Sequence, residues 1–120
     1  MNTAVAAPID ESQQDVLNNA NPIGPRDALL RLLSGTGIEI GALHRPVNAP
    51  HLEVTYVDRY TREQLYTCYP ELSGASLVET GIIDDAECLG TIPSDSQDFV
   101  IANHVIEHMR STFEALLTWQ

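Results

Sequence analysis

Lysine is absent from this 120-residue sequence, and six arginines stand against 17 acidic residues, for a formal net charge of −11. The arginines are scattered along the chain and form no basic stripe: Arg26, Arg31, Arg45, Arg59, Arg62 and Arg110. Because duplex DNA and anionic membranes bind clustered positive charge, neither nucleic acid nor a membrane is an expected partner. A neutral or cationic small molecule suits this field better, although acidity also serves solubility.

The sequence also lacks the features of secreted and membrane-spanning proteins. Its two cysteines, Cys68 and Cys88, belong to no C-x-x-C pair and make no disulfide framework, which favours a reducing compartment. The first residues have neither the basic region nor the apolar region of a signal peptide. The longest apolar runs are far too short to span a bilayer. We therefore expect a cytoplasmic protein.

The remaining composition is that of a globular protein, with 43% hydrophobic residues. Residues 1–24 show no sustained hydrophobic period and predict a flexible N-terminal arm, with one weak helical turn near residues 15–19. From residue 25 to residue 120, helical and strand patterns alternate. This alternation predicts one α/β domain with a mainly parallel sheet and flanking helices.

The predicted strands are four short apolar runs, at residues 38–40, 54–57, 76–79 and 98–102. The last of them is continuously apolar after Asp98, which indicates burial on both faces. Pro25 suits the first position of a helix whose apolar face is Ala28, Leu29, Leu32 and Leu33. Thr61 and Gln64 predict a capping box for a second helix that runs to about residue 69. Residues 105–109 begin helical, and Ser111 is a candidate cap for a further helix.

Polar residues follow every predicted strand. Glu39 and Gly41 end the first, Asp58 ends the second, and Asn103 and His104 end the fourth. Ligands of open parallel sheets bind beyond the carboxyl ends of the strands, so these residues are candidates for one binding edge. The Asp58 carboxylate can accept two hydrogen bonds from a ribose diol, or it can be a surface acid paired with a neighbouring arginine.

Asp84 and Asp85 occupy the loop after the third predicted strand. Either carboxylate could accept a hydrogen bond from an exocyclic amine, with the next backbone N–H donating to a ring nitrogen. Either could instead cap a short helix around residues 86–89, and the two roles are compatible.

Glycines near the first strand only partly match a dinucleotide-binding fingerprint. Gly35 and Gly37 precede the predicted strand, whereas pyrophosphate binding needs glycines in the turn after it, where only Gly41 lies. This placement disfavours a nicotinamide-dependent oxidoreductase. We interpret Gly35 and Gly37 as helix-stop and turn residues.

The string His104-Val105-Ile106-Glu107-His108 matches the H-x-x-E-H pattern of inverted zincins. Two histidines four residues apart on a helix share one face and could hold zinc, with Glu107 as the base. No third ligand can be assigned, so the favoured interpretation is that polar residues line a strand-end crevice without a metal.

Together, these segments resemble the amino-terminal half of class I S-adenosylmethionine-dependent methyltransferases of the methyltransferase-11-like type, from about Leu33 onward. The most specific segment is the fourth strand and its exit, D-F-V-I-A-N-H-V-I-E-H-M, close to the family's D-x-V-x-x-x-x-V-x-E-H pattern. The resemblance implies a Rossmann-like fold with strand order 3-2-1-4, an incomplete doubly wound sheet, and S-adenosylmethionine as cofactor.

The resemblance also implies roles for individual residues. Asp58 would bind the ribose hydroxyls, and Asp84 or Asp85 would contact adenine. The implied cofactor-binding set is Glu39, Gly41, Ala42, Asp58, Arg59, Asp84, Asp85, Asn103 and His104. Candidates for a general base are His104, Glu107 and His108, and the methyl acceptor is unknown.

Two departures from the family pattern stand out. Leu43 and Arg45 replace the later glycines of the family's loop, and the helix that follows is shortened or lost. His44 or Arg45 could replace part of the lost contact to the methionine end. The second half of the family's domain is also missing, so the chain would supply only the cofactor-binding half.

The competing hypothesis is a non-catalytic half-domain whose fourth strand is an open edge. Such an edge invites pairing with another chain and therefore a homo-oligomer. A half-domain of this kind would bind cofactor weakly or not at all. A zinc metallopeptidase is a less favoured alternative.

Overall fold

The computed structural model describes residues 24–120, and the predicted arm, with its helical turn near residues 15–19, lies outside them except for Gly24. The chain divides into two units, Met1–Leu30 and Arg31–Gln120. The described part of the first unit contains helix α1, Pro25–Leu30, with Pro25 at its first position as predicted.

The apolar face predicted for α1 is wrong. The helix ends at Leu30, so Leu32 and Leu33 lie outside it, and Leu32 is 79% exposed. Leu29 is also exposed, and the buried leucine is Leu30. The predicted pattern needed three more residues of helix, to Leu33, than the chain forms.

The second unit is built on a parallel sheet of four strands in the order β3-β2-β1-β4. The strands are β1 Thr36–Ile40, β2 Glu53–Asp58, β3 Ile82–Ile83 and β4 Phe99–Ala102. The order, the parallel pairing and the flanking helices confirm the predicted α/β, Rossmann-like fold. Because all strands run in one direction, their carboxyl ends lie along one edge of the sheet.

Strand β1 is the central strand, and its residues from Gly37 to Ile40 are all buried. Gly37 therefore belongs to the strand, contrary to its predicted role in a turn, whereas Gly35 does turn the chain, at φ +87°. Ile38 and Ile40 pack with Val57, Leu89 and Val105 in the core beneath the carboxyl edge. Burial of an aliphatic side chain of this size contributes about 1.5–3 kcal/mol.

The third strand was predicted at the wrong residues. Around residues 76–79, Leu77 N–H donates to the Tyr66 hydroxyl at 3.2 Å and Val78 N–H donates to the Leu43 carbonyl at 2.9 Å. These bonds take the donors away from a sheet ladder. Pairing with β2 begins only where Gly81 N–H donates to the Tyr56 carbonyl at 2.9 Å.

Helix α2, Arg62–Cys68, has the predicted capping box. Gln64 N–H donates to Thr61 Oγ1 at 3.2 Å, and Thr61 N–H donates to Gln64 Oε1 at 2.9 Å. A short 3₁₀ helix, Pro70–Leu72, follows it. Helix α3, Thr112–Trp119, is capped by Ser111, whose hydroxyl accepts Glu114 N–H at 3.3 Å.

The exit from β4 differs from the prediction. Residues 105–109 form a 3₁₀ helix, Ile106–His108, closed by a bond from His108 N–H to the Val105 carbonyl at 2.9 Å. Within β4, Phe99 and Ile101 are buried, but Val100 and Ala102 are only partly buried, so burial on both faces is also wrong. The incomplete burial is confined to the face that carries Val100 and Ala102, and β4 is an edge strand among the described residues.

None of the helices in residues 24–120 is long and apolar enough to cross a membrane.

Candidate functional site

A crevice of about 290 Å³ opens at the carboxyl edge of the sheet, and we call it the strand-end crevice. Its walls come from the exits of β1, β2 and β4 and from the loop after β3. Its lining consists of Ile40, Gly41, Leu43, Asp58, Arg59, Tyr60, Tyr69, Asp84, Ala86, His104, Val105, His108 and Met109. A larger open cavity of about 790 Å³ lies elsewhere, between residues 92–100 and the end of α3, and contains none of the predicted site residues.

The structure brings several predicted site residues together in the strand-end crevice. Gly41, Asp58, Arg59, Asp84 and His104 line it, and so does the candidate base His108. The other predicted residues are outside its lining: Glu39, Ala42, Asp85, Asn103 and Glu107. The predicted replacements in the glycine-poor loop, His44 and Arg45, are also outside it and are mostly exposed.

Glu39 lies beneath the loop that leaves β1. Its side chain is 1% exposed, and its Oε2 accepts Val47 N–H at 3.0 Å. The loop makes a tight turn closed by Arg45 N–H on the Ala42 carbonyl at 3.0 Å, and no helix forms between residues 41 and 52. The Glu39 carboxylate therefore fixes the path of this loop from inside, because a buried carboxylate must be hydrogen-bonded.

Gly41 turns the chain at the end of β1. Its N–H donates to the Val57 carbonyl at 2.9 Å, and its φ of +66° lies in the left-handed region that favours glycine. A Cβ here would lie 3.3 Å from the Val105 side chain, which is a tight contact. Because both residues line the crevice, a larger side chain at residue 41 would leave less room in it. Leu43 also has a positive φ, 53°, an uncommon conformation for a leucine.

Asp58 stands at the end of β2 and is partly buried. Its Oδ1 accepts Arg59 N–H at 2.7 Å. Burial raises the pKa of this carboxyl above its ordinary value of 3.8, and hydrogen bonds from the Arg59 and Tyr60 amides with the nearby Arg59 charge offset only part of that effect. The Arg59 guanidinium lies 3.6 Å from Asp85 Oδ2, an ion pair between the exits of β2 and β3.

Asp84 is hydrogen-bonded within its own loop. Its Oδ1 accepts the N–H groups of Asp85 at 2.7 Å and Gly90 at 3.2 Å, and its Oδ2 accepts Thr91 N–H at 2.8 Å and Thr91 Oγ1–H at 2.6 Å. Desolvation raises the pKa of Asp84, but these bonds, those from Thr91 foremost, outweigh it and hold the pKa below 3.8. An ionised carboxylate has about four acceptor positions, so Asp84 is saturated.

Asp85 makes a tight turn in place of the helix considered for residues 86–89. Its Oδ1 accepts Glu87 N–H at 2.8 Å, and its carbonyl accepts Leu89 N–H at 2.8 Å. The capping interpretation of this residue therefore holds for a single turn. Ala86, the next residue, lines the crevice.

The H-x-x-E-H string does not form the pair of histidines on one helical face that the less favoured zinc alternative requires. His104 has φ +56°, precedes the 3₁₀ helix, and has a side chain that is 96% exposed. Glu107 Oε1 lies 3.9 Å from His104 Nδ1 and 3.9 Å from His108 Nε2. Across residues 24–120, no group of three or more His, Cys, Asp or Glu side chains is arranged to hold a metal ion.

Sequence reasoning missed the apolar and aromatic lining of the crevice. Tyr60 follows Asp58 by two residues, so the logic of strand ends could have found it. Tyr69 directly follows α2, and its approach to the crevice depends on where the helix terminates, which the strand pattern does not show. Leu43 and Met109 depend on backbone turns after β1 and β4 that carry no sequence signal.

Comparisons with protein-family models, curated proteins and solved structures give no match for this chain.

Proposed function

We propose that this chain binds S-adenosylmethionine in the strand-end crevice and supplies the cofactor-binding half of a methyl-transfer reaction to an unknown acceptor. The observation that carries the proposal is the convergence of Gly41, Asp58 and His104, from three different strand exits, on one crevice. Parallel α/β sheets bind nucleotide-like ligands at this edge. The proposal also depends on the resemblance of the strand-end segments to class I methyltransferases.

The chemistry of Asp58 fits a ribose diol. Two backbone amides donate to this carboxylate, and an ionised carboxylate has about four acceptor positions, so capacity for two hydroxyl donors remains. Charge-assisted bonds of this kind are stronger than neutral ones. The desolvation that raises the pKa of Asp58 is a cost of placing a carboxylate at the crevice, and hydroxyl donors from a ligand would offset it.

Asp84 and Asp85 take different parts in the proposed base-binding region. Saturation of Asp84 by its own loop leaves it no acceptor position for an amine, so its role is to shape the loop. Contact with adenine would then come from the Ala86 backbone, which lines the crevice, or from Asp85, which lies beside the lining residue Arg59. Tyr60 and Tyr69 add aromatic surface to the same crevice.

When bound, the cofactor would supply an electrophilic methyl group on a sulfonium. The residues of the crevice would hold it in position, and alignment of donor and acceptor accounts for much of the rate in such a transfer. If the acceptor must lose a proton, the imidazoles of His104 and His108, two residues that line the crevice, are candidates to take it.

Calorimetric titration with S-adenosylhomocysteine tests the proposal. Binding should be measurable for the folded wild-type chain and at least about ten-fold weaker in Asp58→Asn, since hydrogen bonds to charged groups contribute about 1.5–3 kcal/mol. Glu63→Gln is a matched control, because it removes the same charge from an exposed position on the neighbouring helix α2. The absence of heat at millimolar ligand with a demonstrably folded protein would rule out the proposal.

A second candidate function is self-association through β4. Among the described residues, this strand pairs only with β1, which leaves its other edge open. Sedimentation at rising protein concentration distinguishes the two functions, because a self-associating module should form dimers whether or not S-adenosylhomocysteine binds.

A further inference from the structure

Helix α3 is hydrogen-bonded at both ends to two residues of the loop after β3, Ala86 and Glu87. At its end, Trp119 Nε1–H donates to the Ala86 carbonyl at 2.8 Å, and Thr118 Oγ1–H donates to the Glu87 carbonyl at 2.7 Å. At its start, the Glu87 carboxylate accepts the backbone N–H groups of Arg110 and Ser111. These bonds tie the loop to α3, in addition to the bonds that the Asp84 carboxylate makes within the loop.

The bonded loop is part of the strand-end crevice, whereas the bonding residues are not. Ala86 lines the crevice, but Thr118 and Trp119 lie outside its lining. Trp119 is partly buried and packs against the core cluster that contains Ile38 and Leu89. Because the indole is held by this packing, its N–H fixes the position of the Ala86 carbonyl, and Ala86 is part of the crevice wall.

We propose that Thr118 and Trp119 are positioning residues. They hold the Ala86–Glu87 backbone in the position that lets the crevice accept the adenine end of its ligand. The inference rests on the proposed cofactor-binding function and deepens it. Neither side chain touches the ligand. Their effect is transmitted through the carbonyls of Ala86 and Glu87, and loss of either bond lets the crevice wall move.

The test uses substitutions that remove one donor each with little change of shape. Thr118→Val removes the hydroxyl, Thr118→Ser keeps it, and Trp119→Phe keeps an aromatic ring without the N–H. Thr112→Val is the matched control, since Thr112 is exposed at the other end of the same helix. Affinity for S-adenosylhomocysteine is measured by calorimetry, and amide hydrogen exchange is followed in residues 84–91 and in β1.

We expect Thr118→Val and Trp119→Phe to weaken binding about two- to ten-fold, the effect of losing one neutral hydrogen bond. Thr118→Ser and Thr112→Val should bind as the wild type does. Exchange should accelerate in residues 84–91 and stay unchanged in β1, because the strand core keeps its packing.

Three outcomes are decisive. If the folded wild type shows no binding, the proposed function fails and this inference fails with it. If the wild type binds and both Thr118→Val and Trp119→Phe keep its affinity, the positioning role is overturned while the proposed function stands. If Trp119→Phe does not fold, the comparison of Thr118→Val with Thr118→Ser decides alone, and equal affinities overturn the inference.

Discussion

Asp58 combines a position at the carboxyl edge of the sheet with an environment that disfavours its charge. Its pKa is raised, so in the folded chain it binds a proton more readily than in the unfolded chain, where its value is 3.8. The ionisation of Asp58 therefore reduces stability as pH rises from about 3.8 through the higher folded pKa. Functional sites commonly contain groups that reduce folding stability, because the arrangement needed for binding differs from the one that is most stable.

We predict that Asp58→Asn raises the thermal midpoint at pH 7 relative to the wild type, since the carboxamide carries no charge to desolvate. The advantage should shrink as pH falls through the raised folded pKa towards 3.8, and it should be lost below 3.8, where the wild-type carboxyl is protonated in both states. Thermal unfolding from pH 3 to pH 7 measures it. A lower midpoint for the variant at pH 7 would show that Asp58 stabilises the fold.

Asp84 should show the opposite dependence. Its lowered pKa stabilises the fold above pH 3.8, and this contribution is lost as pH falls through the folded value. We predict that Asp84→Asn costs about 1 kcal/mol at pH 7, a discounted value because the bonds are near the surface. Denaturant unfolding of the variant and the wild type should converge below the folded pKa, and a cost that is independent of pH would contradict the assignment.

The sequence predicted the positions of candidate site residues where strand topology determines them, and it did not predict them where loop geometry does. The order of polar residues after the strands was enough to bring Gly41, Asp58, Asp84 and His104 to one crevice. It could not show that Asp84 is saturated by hydrogen bonds, because two of the donors are the backbone amides of Gly90 and Thr91, six and seven residues further along the chain. It also could not place Glu39 beneath its loop, because the amide that it accepts comes from Val47.

At the scale of elements, the helix α2 was predictable because its capping box is local. The exact third strand was not, because residues 76–79 have the composition of a strand but bond to Tyr66 and Leu43. The pairing of β1 with β4 is the least local feature of the sheet, and it depends on Gly37. A Cβ on Gly37 would overlap both the ring and the carbonyl oxygen of Phe99.

We therefore predict that Gly37→Ala destabilises the fold by about 3 kcal/mol, the upper range for overpacking, because a backbone atom cannot rotate away. Gly74→Ala is the matched control, since a Cβ there meets nothing within 4 Å. It should be neutral or slightly stabilising. Urea unfolding monitored by circular dichroism measures both. Equal midpoints for the two variants would mean that β1 and β4 are not packed this closely.

At the scale of the molecule, the parallel sheet and the net charge have separate consequences. The parallel strands place their carboxyl ends along one edge, and the order 3-2-1-4 was predicted from the resemblance of the strand-end segments to one family. The net charge of −11 carries no information about that order. It does act on stability, because like charges repel more strongly in the compact state than in the unfolded chain.

We predict that sodium chloride stabilises this protein at pH 7. The Debye length falls from about 30 Å at 0.01 M to about 3 Å at 1 M salt, so repulsion among exposed acidic residues is screened over that range. The thermal midpoint should rise by several degrees, since about 1 kcal/mol shifts a domain of this size by about 4–8 °C. The same titration near pH 4.4, the isoelectric point, should show a much smaller rise, because the repulsion is then largely neutralised. An equal rise at both pH values would assign the effect to the action of salt on apolar hydration instead of charge screening.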